Sequence, residues 1–357
     1  MIAGATQSAT DGPKRVARAG PLPCSGLAQQ ASSFNRSVTA LKHRHVWDCG
    51  ILRQQETWMQ WILTVAEPLS LADLVSSSEW LLLPPTGRSR SRSQFTRVEH
   101  LTSGHTTLVT VSQVATGLML HTQHRLSSHD TAELSQRIWR MLRLGDNLTP
   151  FAERARNTPQ LADAAMRGAR LLRGATVFED AVRAVCLSQA VEVPRPRTIG
   201  RVVDAAGAPL PSNPTRHAFP TPQQLLQVER SALQFELGME LTDALIATAE
   251  VFHCKTDHLN SLLDSRPSTT RLTAELRSLL ALTEPGLDFL LFCLGRYDHI
   301  PASYSALSSA KYPTAPIRDG SLPDPHQHFA AWQPWGGLAY WLWDWTLIPE
   351  AQGSDPG

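Results

Sequence analysis

The sequence predicts an α+β protein, a small antiparallel sheet followed by an all-helical half. Three observations carry this expectation. Across QFTRVEHL, TTLVTVSQ and GLMLHTQHRL, apolar and polar residues alternate with period two, broken at Gly104 and Gly117. From Ser128 onward the apolar period lengthens to about 3.6 residues. The later segments are set apart by Pro, Gly, Ser or Thr, as helices are.

Residues 1–45 are rich in Ala, Ser and Gly, carry several Arg and Lys, and hold one acid, Asp11. They lack the apolar core of a secretory signal, so the composition suits a transit-like or disordered extension. Residues 46–127 form the expected sheet domain. WDCGILRQQETWMQWILTVAEP opens with a short strand, and LSLADLVSSSEW starts a helix at Ser70 with Leu71, Leu74 and Val75 on one face. EWLLLPP reads as a strand stopped by two prolines. The run from Arg88 to Ser93 alternates Arg and Ser without an apolar anchor, a solvated loop. A hairpin turning at Gly104 and a third strand after Gly117 complete the sheet.

Residues 128–348 form the expected helical domain, with 349–357 as a tail. Its first helix has a cap candidate at Ser128 and a stripe of Leu134, Ile138, Met141 and Leu142. TPQLADAAMRGARLL, TVFEDAVRAVCLSQA, TPQQLLQV, LTDALIATAEVF, LTAELRSLLAL and LDFLLFCLG continue as helices. Gly and Pro punctuation between Val193 and Pro222 marks the loosest stretch.

A length of 357 residues exceeds a typical single core and favours two domains. A net charge of +1 announces no field for nucleic acid or membrane, but a local basic face is compatible with a neutral chain. Cys24, Cys49, Cys186, Cys254 and Cys293 are scattered, which excludes CxxC zinc and clustered iron–sulfur spacing. Such spacing fits reduced intracellular thiols. The pairs His121/His124 and His326/His328 lack a carboxylate or cysteine to complete a ligand set, so no metal and no cofactor is expected. No apolar run is long enough to span a bilayer, and no membrane partner is expected.

A family resemblance emerges from the order of short motifs. RMLRLGDNLTPFAERARNTPQLADAAMRGARLLRGATVFEDAVRAVCLSQ, FPTP (Phe219–Pro222), LGMELTDAL, LGRYDHIP and HFAAWQPWGGLAYWLW follow one another. The sequence resembles the helix-hairpin-helix DNA glycosylases, in the branch of DNA-3-methyladenine glycosylase II and 8-oxoguanine glycosylase. The likeness covers roughly Ser70 to Trp345. It implies a protein of base-excision repair, with double-stranded DNA as partner, a monomeric state, and an intracellular compartment that contains DNA. Residues 1–45 leave organellar targeting open.

The resemblance also assigns residues. A glycosylase extrudes its target nucleotide, so it needs a wedge, a backbone anchor and a carboxylate. The wedge falls on Leu187, Ser188 and Gln189. The anchor, a glycine-rich hairpin, falls on Ala281–Thr283 without a gap, or on Pro285–Asp288 with a shortened helix, which is preferred; Thr283 and Gly286 are the DNA-contact candidates. Gly295 and Arg296 belong to the turn that follows. At least one hairpin glycine is absent, and Glu284 or Asp288 near a phosphate repels it. The catalytic aspartate position is Ser303, a hydroxyl that holds no charge near neutral pH. Asp298 is a substitute candidate, beside Glu284 and Asp288. Thr283–Leu294 holds no lysine, which excludes lyase chemistry by that route. Glu240 stands where the family carries arginine. Three functions remain open: a working glycosylase with an unusual acid, a catalytically inactive DNA-binding descendant, and a protein-interaction scaffold using Trp332–Trp345. Packing onto the core is the simpler role for Trp341, Trp343 and Trp345.

Overall fold

The computed structural model describes residues 58–65, 69–77, 83–88, 93–166, 168, 170–189, 195–302 and 324–344. Strands β1 (Met59–Thr64), β2 (Thr86–Arg88), β3 (Gln94–His100), β4 (Thr106–Val114) and β5 (Gly117–Thr122) form one antiparallel sheet. Its order is β1-β5-β4-β3-β2. Period-two alternation fixes the register. Trp61 lies opposite Leu120, Leu120 opposite Val111, and Val111 opposite Phe95. This buried row crosses four strands and faces helices α1 (Leu71–Ser77) and α2 (Ser128–Met141). Leu71, Leu74 and Val75 of α1 and Leu134, Ile138 and Met141 of α2 fill that core. Trp61 Nε1 donates to Ser135 Oγ at 2.8 Å, so even its polar edge is satisfied.

The structure sets three boundaries. Leu83–Pro85 is a turn and a short strand begins after it, at Thr86; the expected strand over EWLL (residues 79–82) lies outside the described residues. The strand in the tryptophan-rich opening segment is Met59–Thr64; that segment's start, before residue 58, lies outside the described residues. The cap of α2 is Ser127 rather than Ser128: Ser127 has extended backbone angles, and its Oγ accepts from Asp130 N at 3.0 Å.

The helical half contains α3 (Thr149–Ala155), α4 (Pro159–Met166), α5 (Val177–Gln189), α6 (Arg195–Ala206), α7 (Pro222–Gln227), α8 (Arg230–Leu237) and α9 (Met239–Cys254). It continues with α10 (Thr256–Asp264), α11 (Thr269–Leu279), α12 (Glu284–Cys293), α13 (Pro325–Phe329) and α14 (Gly336–Leu342). Helix α5 is central. Ala181 and Ala184 face the core shared with α12 and α14, whereas Phe178, Val182 and Val185 face the one shared with α6 and α9. At the aromatic end, Trp341 packs on Phe292 with ring centres 5.4 Å apart, and Trp343 on Phe329 at 5.3 Å. The core-packing expectation holds for both; Trp345 lies outside the described residues.

The stretch expected to be loosest is built into the fold. Ile199, Val202 and Val203 of α6 are buried, a stripe hidden among Pro and Gly. Strands β6 (Pro209–Leu210) and β7 (Asn213–His217) form a hairpin. Leu210 and the adjacent Ala218 pack on Val98 of the sheet. A buried ionic network adds a second bond between the halves. Arg97 of β3 donates to Glu179 of α5 at 2.6 Å, Glu179 also accepts from Arg183, and Arg140 of α2 pairs with Asp180 at 2.5 Å.

Candidate nucleic-acid interface

Helices α11 and α12 form a helix-turn-helix hairpin joined at Leu280–Thr283. Ser268 Oγ caps α11 through Arg271 N, and Pro285 lies in the first turn of α12, where its missing N–H costs nothing. The turn covers Ala281–Thr283, the residues of the ungapped alternative, and Gly286, of the preferred placement, lies inside α12. Thr283 is the exposed N-cap of α12, and its hydroxyl makes no capping bond, so the Glu284 N–H has no side-chain cap. Glu284 is exposed beside it, but Arg277 reaches its carboxylate at 2.9 Å and offsets its charge.

Gly286 and Ser188 are brought together, though against each other. A Cβ on Gly286 would lie 1.9 Å from Ser188 Oγ and 2.8 Å from the Ala184 carbonyl oxygen. Glycine there permits the close crossing of α5 and α12, a packing requirement rather than a turn requirement. Ser188 Oγ is buried without a hydrogen-bond partner among the described residues. Gln189 ends α5; its side chain, like all of Ser303, lies outside the described residues.

Helix α12 ends in a Schellman motif. Gly295 has φ +79°, its N–H donates to Phe292 O at 2.9 Å, and Arg296 N donates to Leu291 O at 3.0 Å. Arg296 is half-buried, and its Nε has no hydrogen-bond partner among the described residues. The turn is then clamped on two sides. Tyr297 Oη donates to Asp146 and accepts from Arg143 Nη1 at 2.9 Å, while Arg143 also donates to Phe292 O at 2.8 Å. Gly337 N of α14 donates to Tyr297 O at 2.7 Å. Burial, together with the Asp146 carboxylate, pushes the Tyr297 hydroxyl well above its ordinary value, so it stays a phenol.

The three carboxylates differ in setting. Asp298 is exposed and accepts from Thr269 Oγ1 at 2.9 Å, at the start of α11. Glu284 is exposed and paired with Arg277. Asp288 is buried, and its Oδ1 lies 2.6 Å from His299 Nε2, a pairing across eleven residues that no sequence spacing signals. At the LGME segment, Gly238 separates α8 from α9, and Phe235, Met239 and Glu240 around it are all exposed. Sequence reading missed the exposure of Phe235 and Met239; the only available signal was that both fall off the buried stripe of their helices. A cavity of about 740 Å³ opens between the β4–β5 turn and α3–α4, lined by Gln113, Leu148, Ala152 and Arg156 among others; it touches none of the residues above.

No family model and no curated protein matches the chain. Solved structures do. The 3-methyladenine DNA-glycosylase from Archaeoglobus fulgidus aligns at TM-score 0.60 and 16% identity, over 79% of this chain and 97% of that one. MBOgg1 in complex with a low-affinity DNA ligand aligns at 0.57 and 16%, over 82% and 96%. The apo 8-oxoguanine glycosylase/lyase of Clostridium acetobutylicum aligns at 0.57 and 14%, over 79% and 95%. The chain has the helix-hairpin-helix DNA glycosylase fold. The α+β class expected from the sequence is the class observed. At 14–16% identity, what is shared with these glycosylases is the architecture. No described helix is long and apolar enough to cross a membrane.

Proposed function

We propose that the chain is a glycosylase-like protein of base-excision repair that binds double-stranded DNA as a monomer and extrudes a damaged purine, with hydrolysis of the N-glycosidic bond weak or absent. It would act in an intracellular, DNA-containing compartment. The observation that supports this best is the α11–α12 hairpin leading into the clamped Leu294–Pro301 turn, within a glycosylase fold. The uncapped start of α12 suits a phosphate, and Arg277 offsets the repulsion expected from Glu284. Asp288 is turned toward His299 inside the protein, away from a backbone it would repel.

Weak cleavage follows from Ser303. A hydroxyl at the aspartate position neither balances positive charge on the sugar nor activates water as a carboxylate does. Of the candidate substitutes, Asp298 and Glu284 are exposed and engaged with Thr269 and Arg277, and Asp288 is buried against His299. Duplex oligonucleotides carrying alkylated or oxidised purines, and a stable abasic-site analogue, test both halves. Binding that weakens steeply with salt, with little free base released, is the expected result. Ser303→Asp should raise release without restoring it fully, because the hairpin glycines are missing as well. Rapid release by the unaltered chain overturns the weak-cleavage half, and salt-insensitive or absent binding overturns the whole reading.

A further inference from the structure

The Asp288–His299 pair joins helix α12 to the turn that leaves it. Asp288 is buried, whereas the His299 ring, held on it through Nε2, is 22% exposed. The other ring nitrogen, Nδ1, is not buried and has no hydrogen-bond partner among the described residues. One edge of the imidazole is thus fixed on a carboxylate and the other is open. Asp288 lies one turn past Glu284, about 6 Å along α12. Helical side chains lean toward the N-terminus, so the Asp288 carboxylate is directed back toward the uncapped helix start, with the imidazole beside it. A neutral imidazole has one N–H; once given to Asp288, it leaves Nδ1 a bare acceptor, which an anion avoids. An imidazolium donates from both edges. The other charged groups of this turn and of the elements around it are Arg296, Asp298 held by Thr269, Arg143 and Asp146 closed on Tyr297, and the Glu284–Arg277 pair. Gly336 and Gly337 of α14, which press on the turn, carry no charge.

We propose that His299, oriented by Asp288, donates its Nδ1–H to a DNA phosphodiester, and that binding takes up one proton at this ring. The inference rests on the DNA-binding reading and names a contact within it. The proton comes from solvent and stays on the imidazole, and no bond of the DNA changes. Between a carboxylate on one edge and a phosphate on the other, the imidazolium makes two charge-assisted hydrogen bonds and screens the two anions from each other. Neutral imidazole can make only one of them, so the bound state holds the proton more tightly than the free one, and affinity rises as pH falls.

Calorimetric titration of the full-length chain with a duplex carrying a stable abasic-site analogue, in buffers of differing ionisation enthalpy between about pH 6 and 8.5, counts the protons taken up. Uptake approaching one proton is expected, with affinity falling as pH rises through this window. His299→Gln keeps a donor for Asp288 but cannot carry the proton. It should bind about tenfold more weakly at the acid end and lose both the uptake and the pH dependence. Asp288→Asn should move the uptake to lower pH, because the imidazolium loses its counter-charge. His258→Gln, at an exposed position on α10, should behave as the unaltered chain does. No uptake by the unaltered chain, undiminished uptake in His299→Gln, or loss in His258→Gln overturns the contact and leaves DNA binding standing. Absence of salt-sensitive binding in the unaltered chain overturns the DNA-binding reading and this contact with it.

Discussion

Replacing Gly286 by alanine perturbs a single methyl group at the crossing of α5 and α12. Two contacts decide the outcome. Ser188 Oγ, 1.9 Å from the new Cβ, can rotate away. The Ala184 carbonyl oxygen, 2.8 Å away, is backbone and cannot, so the two helices must separate. Alanine gains about 1 kcal/mol in helix propensity over glycine. Overpacking a close contact costs about 1–3 kcal/mol, and a backbone obstacle puts this one at the upper end, about 2–3 kcal/mol. The clash wins, for a net loss of about 1–2 kcal/mol, and the melting temperature should fall by about 2–6 °C. Calorimetric melting reads the loss directly. Ser188→Ala alone should be neutral or slightly stabilising, because it removes a buried hydroxyl that has no partner among the described residues. In the double variant only the part due to Oγ is recovered. Gly286→Ala melting at or above the temperature of the unaltered chain would refute the close-crossing argument.

Glu179→Gln strips the buried Arg97 and Arg183 of their shared counter-charge and should cost about 3–5 kcal/mol in urea unfolding. Burial alone would raise the Glu179 pKa, but the two guanidinium groups outweigh it and hold it below its ordinary 4.5, so its stabilisation is present above that value and lost as pH falls through the lower folded value. The acid limb of a melting-temperature profile should therefore be shallower in Glu179→Gln; an unchanged slope contradicts the assignment. Tyr297→Phe takes an acceptor from buried Arg143 and a donor from Asp146, which should cost about 1–3 kcal/mol by the same unfolding measurement, and an unchanged midpoint counts against the clamp. Burial pushes the Cys186 thiol up to about 12 and raises Cys293 as well, so iodoacetamide at mildly alkaline pH should modify exposed Cys254 well before either, as read by peptide mass mapping. Early labelling of Cys186 would show that its core opens.

The parts legible in the sequence are those where one period dominates. The alternation through QFTRVEHL and TTLVTVSQ gave both strands and the Gly104 turn, since one face of each strand is buried. The stripe of Leu134, Ile138 and Met141 gave α2 in the same way. Ser127 and Ser128 are chemically equal as caps, and only backbone angles separate them. Helix α6 was hidden because Pro196 and Gly200 punctuate a segment whose tertiary contacts override propensity. The turn was legible at Gly295, whose positive φ closes α12 locally. The site was not legible at Gly286, whose partner Ser188 is about a hundred residues away, nor at Asp288 and His299, which meet only once the chain has turned back after α12.

The β6–β7 hairpin has a consequence for the order of events at the ribosome. The sheet is written by residue 122, yet Val98 waits for Leu210 and Ala218 to cover it, and Arg97 waits for Glu179. As translation proceeds, the N-terminal half emerges with an uncovered apolar patch, and Arg97 has only Glu99 of its own strand as a counter-charge. The two halves mature as one unit, and the nascent sheet remains exposed until nearly a hundred further residues have been synthesised.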